Sequence, residues 1–137
     1  MNSFAEPQSY LEEGKKYFQK SDYSSAAEWF NKAIAIDSKN KEAVFELGKT
    51  YYVLKNYPRA IELLEQAQKF SPLDEHICVL LAQSYRCNGE YEAALKKLIN
   101  FKKQGRSVPE VDNELSSIYN EKSFSQIVQN YNFKGQY

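Results

Sequence analysis

Residues 47–60 read LGKTYYVLKNYPRA. A looser version of the same wording stands 34 positions earlier and another 34 positions later. Gly14, Gly48, Ala82 and Ser116 share one phase of that spacing, and Tyr17, Tyr51, Tyr85 and Tyr119 share another. Ala26, Ala60 and Ala94 keep it, as do Phe30, Leu64 and Leu98, then Ala33 and Ala67, and the aromatic series Tyr23, Tyr57 and Tyr91. Concordant series at one period mark an array in which a small supersecondary unit is written repeatedly, because one copy cannot bury its own apolar face.

Within a unit the spacing is helical. Val44, Leu47, Gly48 and Tyr51 fall at i, i+3, i+4 and i+7, one stripe of a 3.6-residue period, which predicts a first helix, A. Tyr57, Ala60, Ile61, Leu64 and Ala67 form the stripe of a second helix, B, after a break at Leu54–Pro58 in which Asn56 can cap and Pro58 fits the first turn. Asp22 and Asn56 are good N-cap types at equivalent points, with Glu90 as the third member, and Asn40 and Asp74 supply new caps between units. Gly14, Gly48 and Ala82 on helix A, with Ala26, Ala60 and Ala94 on helix B, let two backbones approach while Tyr17, Tyr51 and Tyr85 fill the space beside them. A bulky residue at Ala60 would overpack that contact by about 1 to 3 kcal/mol.

This pattern of Leu-Gly, Tyr, Ala, Phe or Leu, Ala and Pro resembles the tetratricopeptide repeat. The unit 41–74 matches most fully, through Val44, Leu47, Gly48, Tyr51, Ala60, Leu64, Ala67 and Pro72. The unit 7–40 keeps Tyr10, Gly14, Tyr17, Ala26, Phe30 and Ala33 but has Ser38 for the proline, and 75–108 keeps Leu81, Ala82, Tyr85, Ala94 and Leu98. A fourth, degenerate unit begins at Pro109 with Leu115, Ser116 and Tyr119 in phase; Asp112, Asn113, Ser117 and Asn120 make it polar, as a cap over the end of a stack should be. The reading is thus residues 1–6 as an N-terminal extension, 7–132 as the repeat domain with 109–132 as its cap, and 133–137 as a tail. The resemblance implies an all-α fold, a right-handed superhelical stack of antiparallel helical hairpins.

Composition agrees with an ordered helical protein and excludes several classes. The chain has 137 residues, 42% of them hydrophobic, and its 18 basic residues balance its 18 acidic ones, so no overall field draws it to nucleic acid or an anionic membrane. No stretch of eighteen apolar residues and no basic-then-apolar leader occurs, so neither membrane insertion nor export is expected. Cys78 and Cys87 lie nine positions apart, about 13 Å along one helix, and cannot bridge each other. Two unpaired thiols suit a reducing compartment, and a cytoplasmic location is the expectation. Each thiol is read as small apolar filler. His76 stands alone without ligand-spaced partners, and no nucleophile triad, glycine-rich phosphate loop or metal cluster appears. No metal, cofactor or catalytic residue is expected, and the chain is not read as an enzyme.

Function then rests on surface, and here the resemblance supplies the expectation: in this family helix A lines a concave groove that holds a partner's peptide or helix. The helix A side chains pointing away from the packing stripe are Leu11, Lys15 and Phe18 in the first unit, Phe45, Lys49 and Tyr52 in the second, and Val79, Gln83 and Arg86 in the third. Leu11, Phe45 and Val79 make an apolar row suited to apolar anchors of a ligand, and the cations between them suit its acidic groups. The implied function is a non-catalytic interaction module, an adaptor, chaperone or assembly factor. The carboxylate clamp by which some members hold Hsp70 and Hsp90 tails falls here on Leu11, Lys15, Glu46, His76 and Leu80, which do not carry it, and Glu46 would repel a terminal carboxylate. The alternatives are a self-assembling module without a peptide ligand, with Trp29 and Leu63 as an outward apolar spot and a homo-oligomer as the product, or one domain of a larger protein.

Overall fold

The structure is a computed structural model, described here for residues 7–105 and 108–120. Among the described residues seven helices follow one another: α1 (Pro7–Gln19), α2 (Tyr23–Ile36), α3 (Lys41–Val53), α4 (Tyr57–Phe70), α5 (Glu75–Cys87), α6 (Tyr91–Lys103) and α7 (Pro109–Tyr119). All regular structure among the described residues is helical. The chain divides into two compact units, residues 1–72 with α1 to α4 and residues 73–137 with α5 to α7.

The helices begin where side chains can satisfy backbone N–H groups. Asp22, Asn40 and Asn56 accept from the amides of Ser25, Ala43 and Arg59 at 3.2, 3.1 and 3.4 Å, and Asp74 accepts from His76 and Ile77 at 2.9 and 3.2 Å. Glu90 makes no such bond to its helix; its carboxylate accepts instead from the Asn88 amide at 2.7 Å. Pro58 stands in the first turn of α4 and Pro109 in that of α7, where a missing N–H costs nothing.

The turn from helix A to helix B repeats with the same period as the side chains. The amide of Asp22 donates to the Tyr17 carbonyl at 2.9 Å, that of Asn56 to Tyr51 at 2.9 Å and that of Glu90 to Tyr85 at 2.8 Å. One residue earlier, the amides of Ser21, Lys55 and Gly89 donate to Phe18, Tyr52 and Arg86. This pair of bonds is the Schellman closure of a helix, and it requires the donor of the inner bond to take the left-handed conformation. Ser21 and Lys55 adopt it at φ 63° and Gly89 at φ 82°. Only Gly89 does so without Cβ crowding.

In the first unit the core is Leu11, Ala26, Phe30, Ala33, Val44, Leu47, Ala60 and Leu64, each at most 1% exposed. Gly14 and Gly48 are there because the neighbouring helix leaves no room. A Cβ on Gly14 would stand 2.4 Å from the Phe30 ring, and one on Gly48 2.9 Å from Leu64 Cγ. In the second unit the core joins Cys78, Ala82, Ala94, Leu95, Leu98 and Phe101 to Val111, Leu115 and Ile118 of α7. There Ala82, with its methyl, stands where Gly14 and Gly48 stand in the first unit. Thr50 and Ser84, one period apart, are fully buried and donate their hydroxyls to the carbonyls of Glu46 and Leu80 at 2.7 and 2.8 Å.

The fourth repeat is described only through α7. Its Ser116 and Tyr119, in phase with the packing series, are exposed, while Val111, Glu114, Leu115 and Ile118 are buried. The expected second helix of this unit, to residue 132, lies outside the described residues, as do the expected extension 1–6 and tail 133–137.

Candidate functional site

Each unit places the predicted helix A side chains differently. In the first unit, α1 and α3 meet beside a cavity of about 170 Å³ lined by Lys15, Phe18, Gln19, Glu46 and Lys49. The Lys49 ammonium lies 4.8 Å from the centre of the Phe18 ring and 5.7 Å from that of Phe45, within cation–π range of both. The same ammonium is 3.1 Å from a carboxylate oxygen of Glu46, whose side chain is only 13% exposed. Phe18 stands edge-on to Tyr23 with centroids 5.0 Å apart, and Tyr52 meets Tyr57 similarly at 5.8 Å, so rings of helix B brace those of helix A.

Lys15 is held by Glu42 across the helices and by Glu12, 3.8 Å away, one turn back. The hydrogen bond to Glu42, then the charges of Glu42, Glu12 and Glu46, raise its pKa above 10.5 against the opposing effect of burial. Around the cavity two ammonium groups therefore face three carboxylates.

Leu11 does not line this face. It is 1% exposed and belongs to the core, which removes it from the expected apolar row. Val44 and Cys78 are buried one residue before Phe45 and Val79; at the matching place α1 has Tyr10, whose ring lies half-buried on Trp29 at 5.7 Å, and Leu11 enters the core instead. Phe45 and Phe18 remain half-buried, as does Val79, which packs on the core of the second unit.

In the second unit the expected ligand-facing polar groups are occupied from within. Glu114 of α7 is 4% exposed and accepts from Arg86 Nε at 2.6 Å and from Gln83 Nε2 at 3.1 Å. Arg86, expected to receive a partner's acid, and Gln83, expected to line the groove, hold α7 against α5 instead. Glu114 is a site residue that sequence reading missed, as is Glu46 in the lining of the first unit's cavity. A signal for Glu114 existed, since it shares a stripe with Val111, Leu115 and Ile118 at i, i+3, i+4 and i+7.

The positions matching the chaperone clamp are disposed as follows. Leu11 is buried, Lys15 is bonded to Glu42 and Glu46 to Lys49; Leu80 is half-buried, and His76 is exposed 3.9 Å from Glu75. Trp29 is no outward spot either: it is half-buried, stacked on Tyr17 at 6.4 Å, with Lys32 Nζ 4.2 Å from its ring centre, and Leu63 is 5% exposed. Cys78 is buried as expected, its thiol pushed up to about 11 by desolvation and donating to the Lys97 carbonyl at 3.7 Å. Cys87 is exposed rather than filler. Among the described residues no group of three His, Cys, Asp or Glu side chains could hold a metal ion, and no helix is long and apolar enough to cross a membrane.

A family model described as anaphase-promoting complex, cyclosome, subunit 3 matches residues 19–101, more than half of the chain. No curated protein matches it by sequence. Among solved structures the fold is similar to the second TPR domain of human RPAP3, determined by NMR in complex with the HSP70 peptide SGPTIEEVD. That likeness has a TM-score of 0.75 at 18% identity and covers 84% of this chain and 99% of that one. It is also similar to crystalline MamA, with a TM-score of 0.75 at 20% identity over 96% of this chain and 81% of that one. Yeast Tom70 gives 0.77 at 15% identity over 90% of this chain, but 26% of its own. At such identities the likeness is one of fold. The 34-residue period, the capped hairpins and the family match agree: the chain belongs to the family described as anaphase-promoting complex, cyclosome, subunit 3, and its hairpins are tetratricopeptide repeats.

Proposed function

We infer that this protein is a non-catalytic interaction module that holds a peptide or helical segment of a partner protein on the helix A face of its first unit. The observation that carries this reading is the half-buried Phe18 ring lining an open cavity with Lys15 and Lys49, with the half-buried Phe45 ring within reach of the same Lys49 ammonium and Tyr52 half-buried one turn further along α3. Rings braced by other rings present apolar area at little cost in conformational entropy, the property expected of anchor points in an interface. The role is that of an adaptor, chaperone or assembly factor, and the two cysteines, unable to bridge each other on α5, fit a reducing compartment such as the cytoplasm. Val79, Gln83 and Arg86 serve the second unit's own packing in this reading, and the partner's contacts concentrate on Phe18, Phe45 and Tyr52.

The test is capture of partner protein from the source cell by the intact chain and by a variant combining Phe45→Ala with Tyr52→Ala, both checked for helicity by circular dichroism. The reading expects the folded double variant to lose the proteins that the intact chain retains. Retention of the same set by both would refute it.

A further inference from the structure

The two helix A junctions can be superposed by repeat position alone, without reference to how the units are arranged. Glu46 and Glu114 hold the same place in the 34-residue period, two steps apart, and so do Phe18 and Arg86. In the second unit the junction of α5 with α7 is filled: the Arg86 guanidinium meets the buried Glu114 carboxylate at 2.6 Å. In the first unit the junction of α1 with α3 has the carboxylate, Glu46, also largely buried, but Phe18 stands where the guanidinium would originate. The space left there is the cavity of about 170 Å³. That is roughly the liquid volume of five or six waters, at about 30 Å³ each.

What occupies its edge indicates its chemistry. The Lys49 ammonium lies over Phe18 and Phe45 and bonds Glu46, so the site already holds a cation, supplied by its own helix at i+3 from the acid. Two aromatic faces and a part-buried carboxylate favour a planar guanidinium over a compact ammonium, since the former stacks on rings and forks to both carboxylate oxygens. An acidic ligand is disfavoured. Lys15 and Lys49 are already paired with Glu42, Glu12 and Glu46, and the cluster carries one net negative charge.

We propose that the cavity is a guanidinium subsite, which takes an arginine side chain of the partner segment against Phe18 and Phe45, with Glu46 as its counter-ion and Lys49 as the resident cation it displaces. The proposal rests on the reading of this face as the interaction surface and names the chemistry it selects.

The experiment is an NMR titration of the full chain with Nα-acetylarginine amide, with Nα-acetylglutamate amide as the opposite charge, following the ring resonances of Phe18 and Phe45. The arginine probe should shift both rings saturably and the glutamate probe should not. Glu46→Gln, which keeps the shape and removes the charge, should weaken the arginine response by about tenfold. Lys49→Ala, which removes the half-buried competitor, should strengthen it severalfold. The proposal is overturned if the glutamate probe moves the rings as strongly as the arginine probe, if neither moves them, or if Glu46→Gln leaves the arginine response unchanged. Should the arginine probe fail while the Phe45 and Tyr52 double variant still loses its partner, the guanidinium assignment falls and the interaction surface stands.

Discussion

Where α7 lies on α5, an acid of the repeat is bonded by Arg86 and Gln83 and is nearly inaccessible; where α3 meets α1, the same repeat place holds Glu46, with Phe18 instead of a guanidinium and a cavity beside it. The backbone logic of the two junctions is shared, down to the left-handed residue that closes α1 at Ser21 and α5 at Gly89. What differs is a pair of side chains per junction. A repeat therefore fixes where helices lie and leaves the contacts between successive A helices to be closed, as a clasp, or left open, as a site.

The largest expected consequence is on stability. Arg86→Ala strands Glu114 in a nearly dry position and should cost about 3 kcal/mol. Lys49→Ala, which breaks the more exposed pair with Glu46, should cost under about 1 kcal/mol. Urea unfolding of the two variants measures the difference, and equal losses would break the distinction between clasp and open site.

Next in size is a pH effect confined to the second unit. Burial holds the Cys78 thiol protonated up to about pH 11, whereas in the unfolded chain it ionises near pH 9. Below pH 9 the stabilisation is fully present; from there it falls, by roughly 2 kcal/mol or somewhat more in all, until the folded thiol itself ionises. Cys78→Val, which installs the residue that Val44 supplies in the first unit, should abolish that part of the slope. An unchanged slope in the variant would show that Cys78 does not titrate differently on folding.

A smaller effect distinguishes the hairpins within the first unit. Gly14→Ala places a methyl 2.4 Å from the buried Phe30 ring, and its strain should exceed the gain in helix propensity by about 1 to 2 kcal/mol. Gly48→Ala would place a methyl 2.9 Å from Cγ of the buried Leu64, which must then shift, and this smaller overlap should cost less than Gly14→Ala, under about 1 kcal/mol net of helix propensity. Adding Phe30→Leu to Gly14→Ala reproduces the Ala82 and Leu98 combination of the second unit and should recover much of the loss in thermal unfolding. Equal penalties for the two glycine variants would mean that ring size does not set the helix spacing.

The hairpins, their caps and the small-to-large packing were legible because they depend on residues within one unit at helical spacing. Asp22, Asn56, Gly48 and Tyr51 announce their roles locally. Leu11 was misplaced because its position in the period matches Phe45 and Val79, whereas in α1 the place that Val44 and Cys78 fill in the core belongs to Tyr10, which lies on Trp29, and Leu11 is buried instead. Glu114 escapes the sequence because its partner Arg86 lies 28 residues away and charge alone does not reveal burial. The left-handed conformation of Ser21 and Lys55 has no compositional mark, since neither is glycine; it follows from the Schellman bonds that the turn must close. Pockets escape such reading for a similar reason: the cavity at Phe18 is a missing group, visible only against the junction where the group is present.

The central claim, that the first unit's junction is open for want of a guanidinium, is tested most directly by supplying one. Phe18→Arg, titrated with Nα-acetylarginine amide while the Phe45 ring resonance is followed, should keep the helicity of the intact chain and lose the saturable shift, because its own guanidinium now occupies Glu46. A folded Phe18→Arg chain that still binds the probe with undiminished affinity would contradict the account.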